Sequence, residues 1–186
     1  MRHLQGPSHI IFILLLLLAL SSSLTSSSIL EDTCKTFSTN RPDIGYEYCI
    51  DLFQANKESA TADKRGLAMI ATNITVATAM NTIKLIAALR GMVKDQMVHN
   101  RLGDCAALYY GVVHRLDMAV NGIASRTSQG LQDAVWSLSA ALNVPEACEK
   151  GFRELGGKSL LSASNSEFSK EAAIAVVVTR MLKPVS

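Results

Sequence analysis

The chain has 186 residues, a formal net charge of +2 and 18% charged residues, a size for one domain with a single core and a balance that offers nucleic acid no basic patch. Only 5% of residues are aromatic, alternating β-branched runs are missing, and alanine, leucine and methionine dominate. That composition excludes an all-β design and favours helices.

Residues 1–28 read as a leader. Arg2 supplies a positive start, IIFILLLLLAL (Ile10 to Leu20) is an unbroken apolar run, and SSSLTSSS follows with small residues suited to cleavage. The run is shorter than the roughly 20 residues a membrane-crossing helix needs, so it reads as a secretory signal peptide. Its loss would remove Arg2 and no acid, leaving a charge of +1 on a domain over residues 29–186. No later segment reads as apolar enough to span, so no membrane partner is expected once the leader is gone.

Residues 29–56 hold two short helical pieces around the polar turn TNRPDIG, an expected hairpin, and residues 57–186 hold four longer helices. The first runs from about Ala62 to Arg90, apolar on over half its circumference, with Thr61 and Asp63 as candidate caps and Gly91 after its end. It carries the one glycosylation sequon after the leader, Asn73-Ile74-Thr75. The second, about Asp95 to Ile123, shows Val98, Leu102, Cys105, Tyr109, Val112, Leu116, Ala119 and Ile123 at alternating steps of four and three. Such a seven-residue stripe packs in a left-handed bundle at shallow angles.

The third helix, about Ser128 to Leu142, has Leu131, Val135, Leu138 and Leu142 on one face, and Pro145 is expected to stop it. GGKS (Gly156 to Ser159) lacks the upstream glycine and preceding strand of a phosphate loop and reads as a linker. The last helix, about Glu167 to Leu182, is capped from Ser164 or Ser166. Its AAIAVVV run is apolar all round, and a lone strand there would leave backbone groups unpaired. The fold class is therefore all-α: an antiparallel up-and-down four-helix bundle with an N-terminal helical hairpin.

Four cysteines follow the leader, Cys34, Cys49, Cys105 and Cys148, an even number in a chain bound for an oxidising compartment. They allow three pairings. Cys34 with Cys49 closes the hairpin at small entropic cost and leaves Cys105 with Cys148. No C-x-x-C pair exists, and neither His99 nor His114 stands at a finger-like distance from a cysteine, so neither metal nor cofactor is expected. His114 with Asp117 reads as a helix-surface ion pair rather than a catalytic base. With the thiols committed and no serine in a nucleophile-elbow setting, the chain is not expected to be an enzyme. A secreted helical bundle without catalytic groups reads as a binding protein, either presenting a face to another protein or enclosing an apolar ligand. Small helical lipid carriers use more cysteines over a shorter chain, which favours the protein-facing option.

TCKTF…YEYCIDLF, LGDCAALYYGVVHRLDMAV and SLSAALNVPEACEKGF together resemble the plant invertase and pectin methylesterase inhibitor family across essentially the whole mature chain. TADKRGLAMI is similar to the branch that contains plane-tree pollen allergens. The resemblance implies a hairpin plus four-helix bundle with bridges Cys34–Cys49 and Cys105–Cys148, the second tying the third bundle helix to the second. It also implies one-to-one steric occlusion of an extracellular plant enzyme, pectin methylesterase or invertase, in the cell wall rather than the vacuole. A pollen or seed binding protein without inhibition, or an apolar-ligand carrier, is the reading of another class. Invertase inhibitors of the family carry Pro-Lys-Phe just before the third bundle helix. The corresponding SRTSQGLQDAV (Ser125 to Val135) has no such motif, which tilts the target toward pectin methylesterase. Candidate target-binding residues off the apolar stripe are Arg101, Asp104, Arg115 and Asp117 on the second helix, Arg126 and Gln129 in the turn, and Gln132 and Asp133 on the third.

Overall fold

A computed structural model describes residues 29–183; the expected leader lies outside the described residues. Helix α1 (residues 29–40) and α2 (Tyr46–Gln54) form the hairpin, and a 3-10 turn (Lys57–Ala60) leads into α3 (Lys64–Met92). Then come α4 (Gln96–Ser125), α5 (Ser128–Ala141), the short α6 (Asn143–Glu154) and α7 (Ser162–Arg180). Helices α3, α4, α5 and α7 make the expected up-and-down bundle, with α3 packed on α4 and α7, and α5 packed on the same two. Thus α3 and α5 stand diagonally.

The core follows the sequence periodicity. Leu102, Cys105, Tyr109, Val112, Leu116, Ala119 and Ile123 of α4 are all buried, and so are Ala172 to Val176 of α7. Asp63 caps α3 by accepting from Gly66 N–H at 2.7 Å, and Asp95 caps α4 through Met97 and Val98 N–H. Gly91 lies inside α3 rather than after it. By length and composition α3 could cross a membrane, a correction to the expectation that nothing past the leader could. Its buried residues, Leu67 to Ile86, face the bundle core instead.

Pro145 acts differently from the expected clean stop. It has no N–H for the carbonyl of Ala141, four residues back, and its ring crowds that oxygen, so α5 ends at Ala141. The chain then re-enters a helix, with Pro145 buried in the first turn of α6, where a missing N–H costs nothing. Cys148 sits on α6, so its bridge to Cys105 ties α6, not the third bundle helix, to α4. The other bridge joins Cys34 and Cys49. Helix α7 starts at Ser162, ahead of both expected serine caps, and Leu161 before it has no capping side chain.

Helices α4 and α5 cross closely beside their turn. A Cβ on Gly122 would sit 2.3 Å from the carbonyl oxygen of Gly130 and 3.1 Å from Ala134 Cβ. Gly122→Ala is therefore expected to destabilise by about 1–3 kcal/mol, the usual overpacking range, because the obstacle is backbone. An unchanged urea midpoint would contradict this close crossing.

The hairpin covers the α3 and α7 side. Tyr48 donates to Glu167 Oε1 at 2.7 Å, and Lys170 Nζ lies 4.9 Å above the Tyr48 ring. Leu52 and Ile74 share a depression between hairpin and α3. The opposite side, where α4 meets α5, is left open.

Candidate functional site

The eight candidate residues fall into three sets along α4 and the start of α5. Arg126, Gln129, Gln132 and Asp133 gather at the α4–α5 turn and are all exposed. Arg101 and Asp104 lie some 25 residues earlier on the same helix, about 37 Å away at 1.5 Å per residue. Arg115 and Asp117 are exposed between them but, two residues apart on a helix, they point to opposite flanks.

Arg101 has internal work. Its guanidinium lies 3.3 Å from Asp104 and 3.6 Å from Glu154 of α6, with 30% of the side chain exposed. Its stem crosses Gly151, where an added Cβ would meet Arg101 Cδ at 2.5 Å. Beside it, Tyr109 donates to Asn165 Oδ1 at 2.7 Å, and the Asn165 amide donates to Glu149. The bridge, the arginine and this network fasten α6 to the bundle. Arg101 and Asp104 thus form part of the frame, and His114 makes no ion pair with Asp117 among the described residues.

The turn is short and internally bonded. Only Arg126 and Thr127 separate α4 from α5. Thr127 Oγ1 accepts from Gly130 N–H at 3.0 Å, and Ser125 donates to Gly122 O at 2.8 Å. Arg65, from the start of α3, donates to Ile123 O and to Lys183 O at 3.2 Å, so one guanidinium caps the end of α4 and ties down the segment that follows α7. Gln129 Nε2 donates to Asp133 Oδ1 at 2.8 Å. Among the described residues Arg126 is the only non-glycine with positive φ, at 61°, and its guanidinium makes no hydrogen bond or ion pair with any of them. A left-handed non-glycine costs about 1–2 kcal/mol, which glycine there would avoid. Strain of this kind clusters at functional positions.

Two features escaped the sequence reading. Trp136 on α5 is 78% exposed on the flank beside α7, and Tyr110 on α4 is 64% exposed on the flank beside α3, both large apolar surfaces turned to solvent. Trp136 lies off the α5 apolar stripe, and that was the available signal. Glu171 is the other, 4% exposed on α7, with Oε1 accepting from Thr78 at 3.0 Å and Oε2 unpartnered. Burial first, then the nearby Glu167, pushes its carboxyl up to about 7 despite the Thr78 hydrogen bond. Burial also drives the Tyr109 and Tyr48 phenols upward. Asn73 is exposed on α3, diagonal to α5, and Thr75 of its sequon is buried with its hydroxyl on Ala71 O. No group of three or more His, Cys, Asp or Glu side chains gathers among the described residues.

Comparison with known proteins gives this architecture a context. The profile of the plant invertase/pectin methylesterase inhibitor family matches residues 28–178. A Platanus acerifolia protein named "Putative invertase inhibitor" is 30% identical over 167 residues, covering 89% of this chain and 92% of its own. "Pectinesterase inhibitor 12" of Arabidopsis thaliana is 29% identical over 168 residues, covering 89% and 94%. Among solved structures, a mutant form of a pectin methylesterase inhibitor from Arabidopsis superposes with a TM-score of 0.66 at 20% identity, over 75% of this chain and 91% of that one. At that identity the likeness speaks to fold.

Proposed function

The chain belongs to the plant invertase/pectin methylesterase inhibitor family, and from that premise we propose that it is a secreted protein inhibitor of pectin methylesterase. It covers the enzyme's substrate cleft one-to-one with the α4–α5 end of its bundle, without covalent chemistry, in the cell wall rather than the vacuole. The observation that carries the choice of mode is the two-residue connection at Arg126 and Thr127. Nothing there is long enough to insert, so contact is made by helix faces and by the free Arg126 at the tip. The absence of Pro-Lys-Phe from Ser125 to Val135 agrees. Invertase is the second reading, supported by the name of the Platanus relative.

Rigidity suits the task. Two bridges and the bonded turn limit the entropy lost on docking, so more of the interface energy appears as affinity. An interface of standard size, about 1,600 Å² in total, would extend beyond the turn onto α4 and α5.

Titrating the oxidised protein against a plant pectin methylesterase and a plant cell-wall invertase in parallel, near pH 5 and pH 7, decides the target. Saturable one-to-one loss of activity in the first assay alone is expected. Loss only in the second would transfer the reading to invertase, and loss in neither would leave a binding protein without inhibition. Arg126→Gly separates function from fold. It relieves the left-handed strain, so stability is expected to hold or rise by about 0.5–1 kcal/mol, while inhibition weakens at least tenfold. Unchanged inhibition would remove Arg126 from the interface.

A further inference from the structure

Between α5 and α7, starting at Ser128 just past the turn, runs an open groove of about 320 Å³, within the range of small-ligand sites. Leu131 and Val135 of α5 and Leu182 beyond α7 make its apolar floor, and Trp136 stands at its wall with 78% of its surface exposed. Tryptophan is seldom left so open, because its ring carries a large apolar area. Arg180 lines the same groove and, among the described residues, makes only a 3.3 Å contact with Ser139 Oγ and no ion pair. Gln132 adds an amide to the rim. Thr179, 1% exposed, also lines the groove, and its Oγ1 has no hydrogen-bond partner.

We propose that this groove is a saccharide site selective for uronic-acid sugars, with the Trp136 indole against the C–H face of a sugar ring and Arg180 paired to its carboxylate. A flat aromatic face, a few polar groups and one uncompensated cation are complementary to a ring that is apolar above, hydroxylated at its edge and anionic at one corner. The guanidinium fork matches a carboxylate through two parallel hydrogen bonds. The nearest carboxylate on α5, Asp133, is engaged by Gln129 Nε2 and does not line the groove. A neutral sugar would use the indole alone, and a simple anion the guanidinium alone, so selectivity requires both.

Trp136 is the only tryptophan in the chain, so its fluorescence reports on this groove directly. Trigalacturonate added to the oxidised protein is expected to quench it saturably. Cellotriose should bind at least tenfold more weakly, and citrate should not quench at all. Arg180→Gln should bring trigalacturonate down to the cellotriose level, and Trp136→Ala, at a surface position that leaves the core intact, should abolish the heat of trigalacturonate binding in calorimetry. No quenching by millimolar trigalacturonate, equal response to both trisaccharides, or quenching by citrate would each overturn the proposal. So would an indole that responds to the target enzyme but not to sugar, which would assign the groove to the protein interface. Because the sugar titrations contain no enzyme, their outcome is independent of whether the protein inhibits one.

Discussion

Replacing both Cys105 and Cys148 by alanine is expected to cost about 4 kcal/mol of stability, the largest loss of any change considered. The bridge closes a separation of 43 residues, and the loop-entropy relation assigns about 4 kcal/mol to a loop of that length. The Cys34–Cys49 loop, separated by 15 residues, is worth about 3 kcal/mol by the same relation. Alanine rather than serine isolates the bridge, since a hydroxyl buried at Cys105 would add its own desolvation cost. What then holds α6 is the burial of Phe152, Arg101 between Asp104 and Glu154, partly exposed pairs worth at most about 1 kcal/mol, and the Asn165 bond to Glu149. Against a usual total of about 5–15 kcal/mol, the loss is severe. Urea unfolding of the oxidised variant checks it, and a loss under 1 kcal/mol would mean that α6 is held by packing and the polar network alone.

A second large effect is a fall in stability as the medium turns from acid to neutral. Glu171 has its ordinary pKa of 4.5 when unfolded and one near 7 when folded. Below about 4.5 both states hold the proton and the group contributes nothing to the pH dependence. Between 4.5 and 7 the folded state holds the proton and the unfolded state has released it, so stability falls with each rise in pH. Above 7 the buried carboxylate carries the full penalty, about 3 kcal/mol. From pH 5 to pH 8 this amounts to about 2.5 kcal/mol, or about 5–10 °C in Tm for a domain of this size. Lys170 is turned to the Tyr48 ring, and Glu167, which accepts from Tyr48, adds repulsion, so no cation compensates the charge. In Glu171→Gln the amide keeps an acceptor for Thr78 and loses the titration, so its Tm should vary much less between pH 5 and pH 8. A wild-type Tm that is flat or rises across that interval would refute the buried carboxylate.

The parts of the fold legible in the sequence were those governed by one period or one strong local rule. The α4 stripe from Leu102 to Ile123 could be read because every member serves the same core face. Asp63 could be read as a cap because an acceptor beside a helix start is a local device, whereas Thr61, the other candidate, lies too far ahead of α3 to serve. The bundle itself follows from four such helices with short connections. Helix α6 escaped notice because Pro145 reads as an end, and only the backbone after Ala141 reveals that it also permits a beginning. The start of α7 was placed too late because SASNSE is polar, yet Asn165 within it is buried by its bonds to Tyr109 and Glu149, partners 56 and 16 residues away.

The candidate surface was legible only in part, for a related reason. Hydropathy marks Arg101 and Arg126 alike as charges off the apolar stripe. Their difference depends on what lies opposite: Gly151 and Glu154 claim the first, while nothing claims the second. Trp136 passed unnoticed because an aromatic among small apolar residues normally belongs to the core, although its place off the α5 stripe already pointed outward.

The bonds from Arg65 also bear on how the molecule can be handled. They bring Lys183, the last described residue, to the end of the bundle where α4 turns into α5. Leu30 lines a depression with Ser59, Ala60 and Thr61, just ahead of α3 at that same end. Both ends of the described chain, residues 29 and 183, therefore lie at the end of the bundle that carries the turn. A reporter or affinity tag fused at either one would crowd it, whereas a label on the exposed Lys150 of α6 would attach near the opposite end and leave it clear.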